Sequence, residues 1–293
     1  MKILVTESQY KKILREEKEQ KIFRVPGLDF FHEYRWEAWD ILQKVLEHRG
    51  NPPYTFGGDL DLSNTSMEYS TIESLGNLTS VEGDLDLRYT QIESLGNLIS
   101  VGGDLDLYET QIKSLGNLTS VSGNLYLQFV PIESLANLTS VGGDLDLYNS
   151  TIESLGNLTS VSGDLDLRDT PIKSLGNLQS VGGNVFLRRT PIKSLGNLTS
   201  VGNSLDLNNT PIKSLGNLQS VGGWLDLSNT PIESLGNLTS VGGDLDLRKT
   251  PIESLGNLTS VGGSLDLRYA PLSEKYTEEE IRQMVDVGGD IIL

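Results

Sequence analysis

Apolar and polar residues follow each other along this chain in a pattern that returns every 20 residues, without insertion or deletion, from Thr71 to Ala270. We call each 20-residue unit a coil. The apolar positions of the first coil are Ile72, Leu75, Leu78, Val81, Leu85 and Leu87. Six apolar residues cannot bury one another within one coil, but they can be buried against the next coil. The pattern therefore predicts a β-rich solenoid of stacked, parallel coils.

The segment DLDL of each coil alternates polar and apolar residues, which is the period of a β-strand with one buried face. It predicts one parallel strand per coil, with leucines inside and aspartates outside. Gly102 and Gly103 stand just before this segment, where we expect a tight turn with a positive φ.

The spacing of Leu85, Leu87, Thr90, Ile92 and Leu95 resembles the leucine-rich repeat family, with Thr90 where that family usually has asparagine. The short units and the segment LTSVGGDLDL are similar to the β-solenoid L domains of cell-surface receptors. This resemblance covers residues 57 to 270. It implies a right-handed parallel stack of about eleven to twelve coils with α-helical N- and C-terminal caps. The opening MKILVTESQYKKIL resembles uncharacterised phage-encoded proteins.

The chain outside the repeat predicts two caps. Residues 1–56 form a helical N-terminal cap, with one helix from Thr6 to about Glu19 and a second from about Phe31 to His48. The second helix carries four apolar residues that we expect to cover the open end of the first coil: Trp36, Trp39, Leu42 and Leu46. Residues 57–270 are the solenoid.

Residues 271–293 are predicted to form a C-terminal cap helix and a closing strand. Thr277 and Glu280 have the spacing of a capping box at the start of that helix. Ile281, Met284 and Val285 give it an apolar stripe.

Charge is concentrated in the repeats. The chain has a net charge of −17, yet residues 1–50 hold 10 Lys and Arg against 9 Asp and Glu. No stretch is apolar enough to span a membrane, and the charged opening lacks the apolar core of a secretory signal. We expect a cytoplasmic or virion-associated protein.

Residues that could perform catalysis are scarce. The chain has no cysteine, and its two histidines, His32 and His48, lie too far apart on one predicted helix to share a site. Phosphate-binding loops, nucleophile elbows and metal-binding His-Glu motifs are absent from the sequence. The sequence predicts no enzyme, no cofactor and no metal site.

Two columns of aspartate run along the predicted strands. The first Asp column contains Asp59, Asp84, Asp104, Asp144, Asp164 and Asp244, and the second contains Asp61, Asp86, Asp106, Asp146, Asp166, Asp206, Asp226, Asp246 and Asp266. Like charges at the strand spacing of about 4.8 Å destabilise a sheet, which suggests that the acidic face is used. The alternative is that tandem duplication copied the aspartates, and Arg88, Arg168, Arg188, Arg248 and Arg268 offset part of the charge. We single out Asp86, Asp106, Asp146 and Asp166 as candidate partner-binding residues.

Aromatic residues interrupt the acidic columns. Tyr126, Phe186 and Trp224 replace aspartate, and Tyr108 and Tyr148 lie on adjoining coils. We expect Tyr108, Tyr126 and Tyr148 to form one patch across three strands. Exposed aromatics edged by charge are typical of interaction hot spots, although drift between copies would give the same substitutions.

An asparagine column, from Asn77 to Asn257, is present in every coil. Seven members fit an N-glycosylation pattern, but asparagine persists where that pattern fails. We expect a ladder in which the amides bond to turn backbone groups of neighbouring coils.

Three functions fit these features. The leading hypothesis is a non-enzymatic scaffold whose strand face binds a protein with a basic surface. A DNA mimic that occupies a DNA-binding protein is the first alternative, and a surface that binds divalent cations is the second. Direct binding of nucleic acid is disfavoured, because the acidic face repels phosphate. No membrane partner is expected, and the oligomeric state stays open.

Overall fold

A computed structural model describes residues 22–26, 29–63 and 72–293, and between 29 and 37 it describes the backbone only. The predicted helix from Thr6 to Glu19 lies outside the described residues, as does the side chain of Trp36.

The described chain contains 25 strands and three helices. The helices are α1 (Asp29–Glu47), α2 (Pro271–Lys275) and α3 (Glu278–Met284). The strands are β1 (Phe23–Pro26), β2 (Tyr54–Gly57), β3 (Leu60–Asp61), β4 (Leu78–Val81), β5 (Leu85–Asp86), β6 (Ser100–Val101), β7 (Leu105–Asp106), β8 (Ser120–Val121), β9 (Leu125–Tyr126), β10 (Ser140–Val141), β11 (Leu145–Asp146), β12 (Ser160–Val161), β13 (Leu165–Asp166), β14 (Ser180–Val181), β15 (Val185–Phe186), β16 (Ser200–Val201), β17 (Leu205–Asp206), β18 (Ser220–Val221), β19 (Leu225–Asp226), β20 (Ser240–Val241), β21 (Leu245–Asp246), β22 (Ser260–Val261), β23 (Leu265–Asp266), β24 (Asp286–Val287) and β25 (Ile291–Ile292).

The fold is a parallel β-solenoid, as predicted, but each coil contributes two strands instead of one. Strand β1 and the even-numbered strands β2 to β24 build a 13-stranded sheet, and the odd-numbered strands β3 to β25 build a 12-stranded sheet. We call them the first and second sheet. Each residue pairs with the one 20 positions later, as Val101 does with Val121 and Leu105 with Leu125. The strand at Ser100 and Val101 was missed because two residues are too short to show an alternating pattern.

The core is formed by the six apolar columns. Ile92, Leu95, Leu98, Leu105 and Leu107 are all completely buried, and the other coils repeat this. Complete burial of one such side chain is worth about 1.5–3 kcal/mol. Because the contacts run between coils, each coil depends on its neighbours for stability.

The N-terminal cap is not wholly helical. Strand β1 extends the first sheet by pairing in parallel with β2, while α1 packs against the second sheet at β3. Trp39, Leu42 and Leu46 are buried, in agreement with the predicted covering role. The helix begins at Asp29, two residues before the predicted start.

The C-terminal cap agrees more closely with the sequence. The hydroxyl of Thr277 accepts a hydrogen bond from the Glu280 N–H, and the Glu280 carboxylate accepts one from the Thr277 N–H, which completes the predicted capping box. Ile281 and Val285 are buried, but Met284 is 48% exposed, so it lies outside the apolar stripe. The closing segment forms β24 and β25, one strand for each sheet.

The predicted reason for the glycine pair was wrong. Gly102 and Gly103 do not have a positive φ. A Cβ on Gly102 would overlap the Glu82 carbonyl of the preceding coil, and one on Gly103 would overlap the Asp84 carboxylate. These glycines are therefore needed for close approach between coils.

Among the described residues, no helix combines the length and apolar character that crossing a bilayer requires.

Candidate functional site

The first Asp column is a hydrogen-bonded ladder. Asp84 Oδ1 accepts from the Asp104 N–H at 2.7 Å, and Asp144 Oδ1 accepts from the Asp164 N–H at 2.7 Å. Asparagine and serine keep the ladder in other coils because they also offer an oxygen, as Asn124 does to Asp144. The column is therefore kept in part for an acceptor, not only for its charge.

The second Asp column supports the turn that follows each strand. In all nine members, Oδ1 accepts a hydrogen bond from the N–H two residues later, as Asp106 does from Tyr108 at 3.0 Å and Asp146 from Tyr148 at 2.9 Å. This geometry is an Asx turn. The remaining members make the same bond. Repulsion between the carboxylates is thus balanced by local bonds, which weakens the argument that the charge alone indicates use.

Arginines divide the second column into two kinds of aspartate. Arg88, Arg168, Arg248 and Arg268 each bind the aspartate of their own coil. Burial raises the pKa of Asp266, but hydrogen bonds and charge from Arg268 outweigh it, and the pKa lies below its ordinary value. Asp106, Asp146 and Asp226 have no arginine in their own coil, and burial raises the pKa of each. Asp166 is almost fully buried beneath Arg168.

The two residues after each second-sheet strand form an outward ridge along the solenoid. We call it the turn ridge; its pairs are Arg88–Tyr89, Tyr108–Glu109, Gln128–Phe129, Tyr148–Asn149, Arg168–Asp169, Arg188–Arg189, Asn208–Asn209, Ser228–Asn229, Arg248–Lys249 and Arg268–Tyr269. The second residue of every pair has a φ between 53° and 63°, yet none is glycine. Seven residue types occupy this position in ten coils, whereas the six inward positions show one substitution, Val185. Variation is therefore concentrated on the turn ridge.

Four rings of the turn ridge contact one another in consecutive coils. Tyr89 meets Tyr108 with ring centres 5.4 Å apart, Tyr108 meets Phe129 at 5.6 Å, and Phe129 meets Tyr148 at 5.6 Å, all edge to face. We call these residues the aromatic row. Successive rings come alternately from the second and the first ridge position. This alternation turns each ring nearly perpendicular to the next, which aromatic quadrupoles favour.

The predicted patch was correct for Tyr108 and Tyr148 but wrong for Tyr126. Tyr126 lies in the strand, paired in register with Asp106 and Asp146, and makes no ring contact among the described residues. Phe129, which is 41% exposed, takes the place between the two tyrosines.

Arg168 continues the aromatic row towards the C-terminus. Its guanidinium lies over the rings of Tyr148, at 5.6 Å, and Phe186, at 5.4 Å. The Asp166 carboxylate binds the same guanidinium. Two rings and a carboxylate thus hold one arginine.

An open groove of about 500 Å³ runs beside the row. Its lining at one end is Tyr108, Gln128, Phe129, Asp146 and Tyr148, and at the other Asp166, Arg168, Asp169, Arg188 and Arg189. Rings and one carboxylate lie at the first end, and three arginines with two carboxylates lie at the second, where Asp166 pairs with Arg168 and Asp169 with Arg189. Asp86 lies outside this groove, bound to Arg88.

Trp224 interrupts the first-column ladder. Its indole is 40% exposed and offers no acceptor to the Asp244 N–H, although the Trp224 N–H still donates to Ser204 Oγ at 3.1 Å. Trp224 lies four coils beyond Tyr148, outside the aromatic row and the groove. The structure therefore groups Tyr108, Tyr148, Phe186, Asp146 and Asp166, and separates Trp224 from them.

The asparagine column makes the predicted ladder. Asn97 Nδ2 donates to Asn77 Oδ1 at 3.0 Å, and five later members donate to a glycine carbonyl of the preceding coil, as Asn137 does to Gly116 at 3.2 Å. The inward column of Thr90 differs, because its hydroxyl bonds to the Leu87 carbonyl of the same coil. Both columns serve the fold.

Sequence reasoning missed Tyr89, Phe129 and the stacking role of Arg168. The available signal was the variability of the last turn positions in units that are otherwise nearly identical. Within residues 22–26, 29–63 and 72–293, no three His, Cys, Asp or Glu side chains could hold a metal ion together. No known protein family, curated protein or solved structure matches this chain.

Proposed function

We propose that this protein is a non-enzymatic scaffold that binds another protein through the aromatic row and the neighbouring face of the second sheet. The observation that carries the proposal is a row of four contacting rings on the surface, two of which, Tyr89 and Phe129, lie at a turn position where the backbone favours other residues.

A positive φ is tolerated best by glycine and then by asparagine or aspartate. Asparagine occupies this ridge position in three coils, whereas Tyr89, Phe129 and Arg189 place large side chains there. Each such residue costs about 1 kcal/mol or more. Tyr89 and Phe129 also contact the rings of the neighbouring coils, and this combination of an unfavourable backbone with ring contacts supports a role in binding.

Charge supports a partner with a basic surface. Asp106 and Asp146 flank the row and lack an arginine in their own coil, and Glu109 adds an exposed carboxylate. Electrostatic complementarity of this kind steers association and selects partners. Tyrosine is one of the residue types enriched in interface hot spots.

DNA mimicry remains the alternative, with less support. A mimic needs a continuous row of negative charge, but Arg88, Arg168, Arg248 and Arg268 neutralise four coils. Coils 111–130 and 171–190 contain no acidic residue at all. We also propose a relationship to leucine-rich repeats, on the strength of the repeat spacing; a cytoplasmic or virion location stays a prediction.

The test is to capture partners on the immobilised protein and elute them with a salt gradient. A scaffold that uses rings should hold one partner at high salt, and Phe129→Asn with Tyr148→Asn should release it. Tyr269→Asn is the matched control, because Tyr269 has nearly the same φ as Phe129 and is 78% exposed but makes no ring contact within the described residues. Release of DNA-binding proteins at low salt, unaffected by the ring substitutions, would favour mimicry instead.

A further inference from the structure

The guanidinium of Arg168 is bound within the protein by two aromatic rings and a carboxylate, and the same kinds of group are exposed elsewhere on the surface. Arg168 lies between the rings of Tyr148 and Phe186, and both its Nε and Nη2 reach the Asp166 carboxylate. Stacking on a ring face and bidentate binding by a carboxylate are the two interactions that distinguish arginine from lysine.

Two coils earlier, rings and carboxylates are present but the arginine is not. Gln128 stands at the position equivalent to Arg168, between Tyr108 and Tyr148, and donates its amide to Asp146 Oδ2 at 2.6 Å. Tyr126 replaces the aspartate of this coil. Rings and carboxylates therefore surround a coil that has no cation of its own on this face.

Tyr126 shows how negative these surroundings are. Partial burial, followed by the charges of Asp104, Asp144, Asp106 and Asp146, raises the pKa of its phenol. Two guanidiniums border this group: Arg88 Nε lies 3.4 Å from Asp106 Oδ2 on one side, and Arg168 lies over the Tyr148 ring on the other.

We propose that this region binds an arginine side chain of the partner, with the guanidinium stacked on the aromatic row and bonded to Asp146. The proposal rests on the proposed protein-binding function and defines its ligand. Lysine fits less well, because its compact ammonium cannot stack and bond to a carboxylate in one plane.

The far end of the groove limits what surrounds that arginine. Arg188 and Arg189 are both exposed there, two to three coils away, or about 10–15 Å at the strand spacing. Asp169 pairs with Arg189 at 3.6 Å, so Arg188 contributes most of the positive charge at this end. A uniformly basic segment would be repelled at this end. The partner segment therefore carries arginine near the rings and an acidic residue towards Arg188.

The test uses a short synthetic peptide with one arginine and one glutamate among glycines, and the same peptide with lysine. Binding is followed by NMR titration of the full-length protein with labelled aromatic side chains. We expect the arginine peptide to bind at least fivefold more tightly than the lysine peptide. It should shift the resonances of Tyr108, Phe129 and Tyr148 and leave that of Tyr269 unchanged.

Asp146→Asn supplies the second measurement. Asparagine keeps the oxygen that accepts from the Tyr148 N–H, so the turn is preserved while the charge is lost. The preference for arginine should then fall at least threefold, whereas Asp226→Asn, at the equivalent position of a coil outside the aromatic row and the groove, should leave it unchanged.

Equal binding of the two peptides, or shifts outside the aromatic row, would overturn the arginine assignment. If a captured partner still depends on Phe129 and Tyr148 in that case, the scaffold function stands and only its ligand is wrong. If neither the partner nor the peptides depend on these rings, both proposals fail.

Discussion

Coils 71–190 and 191–270 share one backbone and differ on one ridge. Both halves have the same two strands per coil and the same positive φ at the second ridge position. The first half carries the aromatic row, with Arg168 between two rings. In the second half, two coils have asparagine or serine on the ridge, and the other two have Arg248–Lys249 and Arg268–Tyr269 without contacting rings among the described residues. The inward columns fix the fold, so the ridge is free to change. The comparison teaches that stability is spread over all coils, whereas binding chemistry is confined to some.

The largest expected effect is on binding. Replacing Tyr108, Phe129 and Tyr148 by asparagine should weaken partner binding at least about 100-fold, because hot-spot residues each contribute about 2 kcal/mol or more. The free energy of unfolding should change by less than about 1 kcal/mol, since the ridge lies outside the core. Surface plasmon resonance and chemical denaturation measure the two quantities. Tyr269→Asn in the second half should alter neither, and an equal loss of affinity there would remove the distinction between the halves.

The next effect should be the same in both halves. A Cβ on Gly163 would overlap Asp144 Oδ1, and one on Gly263 would overlap Asp244 Oδ1. Each glycine-to-alanine change should cost about 2 kcal/mol of unfolding free energy, through the clash and the loss of a ladder bond. Gly176→Ala is the control, because a Cβ there meets nothing within 4 Å and only the positive φ costs about 1 kcal/mol. Chemical denaturation measures these changes. Markedly unequal losses of unfolding free energy for Gly163→Ala and Gly263→Ala would show that the two halves do not share the same packing between coils.

A smaller effect concerns the interrupted ladder. Trp224→Asp should restore an acceptor for the Asp244 N–H and stabilise the protein by about 1 kcal/mol. Asp144→Ala should cost about the same in the first half, whereas Asp144→Asn should be neutral, as Asn124 already shows for its own coil. Thermal unfolding of the three variants checks the signs. A loss of stability in Trp224→Asp would mean that the indole itself supports the fold.

The smallest effect follows from the two kinds of aspartate. Asp226 has a raised pKa, so its ionised form opposes folding at neutral pH, and this cost fades as the pH falls through that pKa. Asp266 has a lowered pKa, so its contribution is present above the unfolded-state value and is lost as the pH falls. At pH 7, Asp226→Asn should stabilise by a few tenths of a kcal/mol and Asp266→Asn should destabilise by about 0.5 kcal/mol.

The effects of both substitutions on the free energy of unfolding should become smaller at acidic pH. Denaturation at pH 7 and pH 3 measures them. If Asp226→Asn and Asp266→Asn changed the free energy of unfolding in the same direction at pH 7, the division into two kinds of aspartate would be wrong.

The sequence predicted what depends on period and burial. The apolar columns, the capping box at Thr277 and the closing strand all follow from spacing alone. The structural role of Gly103 could not be predicted from the sequence, because both a close approach between coils and a positive φ favour glycine. Phe129 was missed because the positive φ of the second ridge position brings the Phe129 ring beside the tyrosine rings at the first ridge position of the neighbouring coils. The spacing of these residues in the sequence does not predict this contact. The aspartate columns looked like surface charge because their hydrogen bonds run to backbone groups.

Site-specific photo-crosslinking tests the central claim most directly. A photoreactive phenylalanine analogue at Phe129 should crosslink to the partner, and the same analogue at Tyr269, in an equivalent backbone position, should not. Both sites carry aromatic residues already, so neither substitution disturbs the coil. Crosslinking at Tyr269 as efficient as at Phe129, or none at Phe129 while the partner remains bound, would show that binding does not occur at the aromatic row.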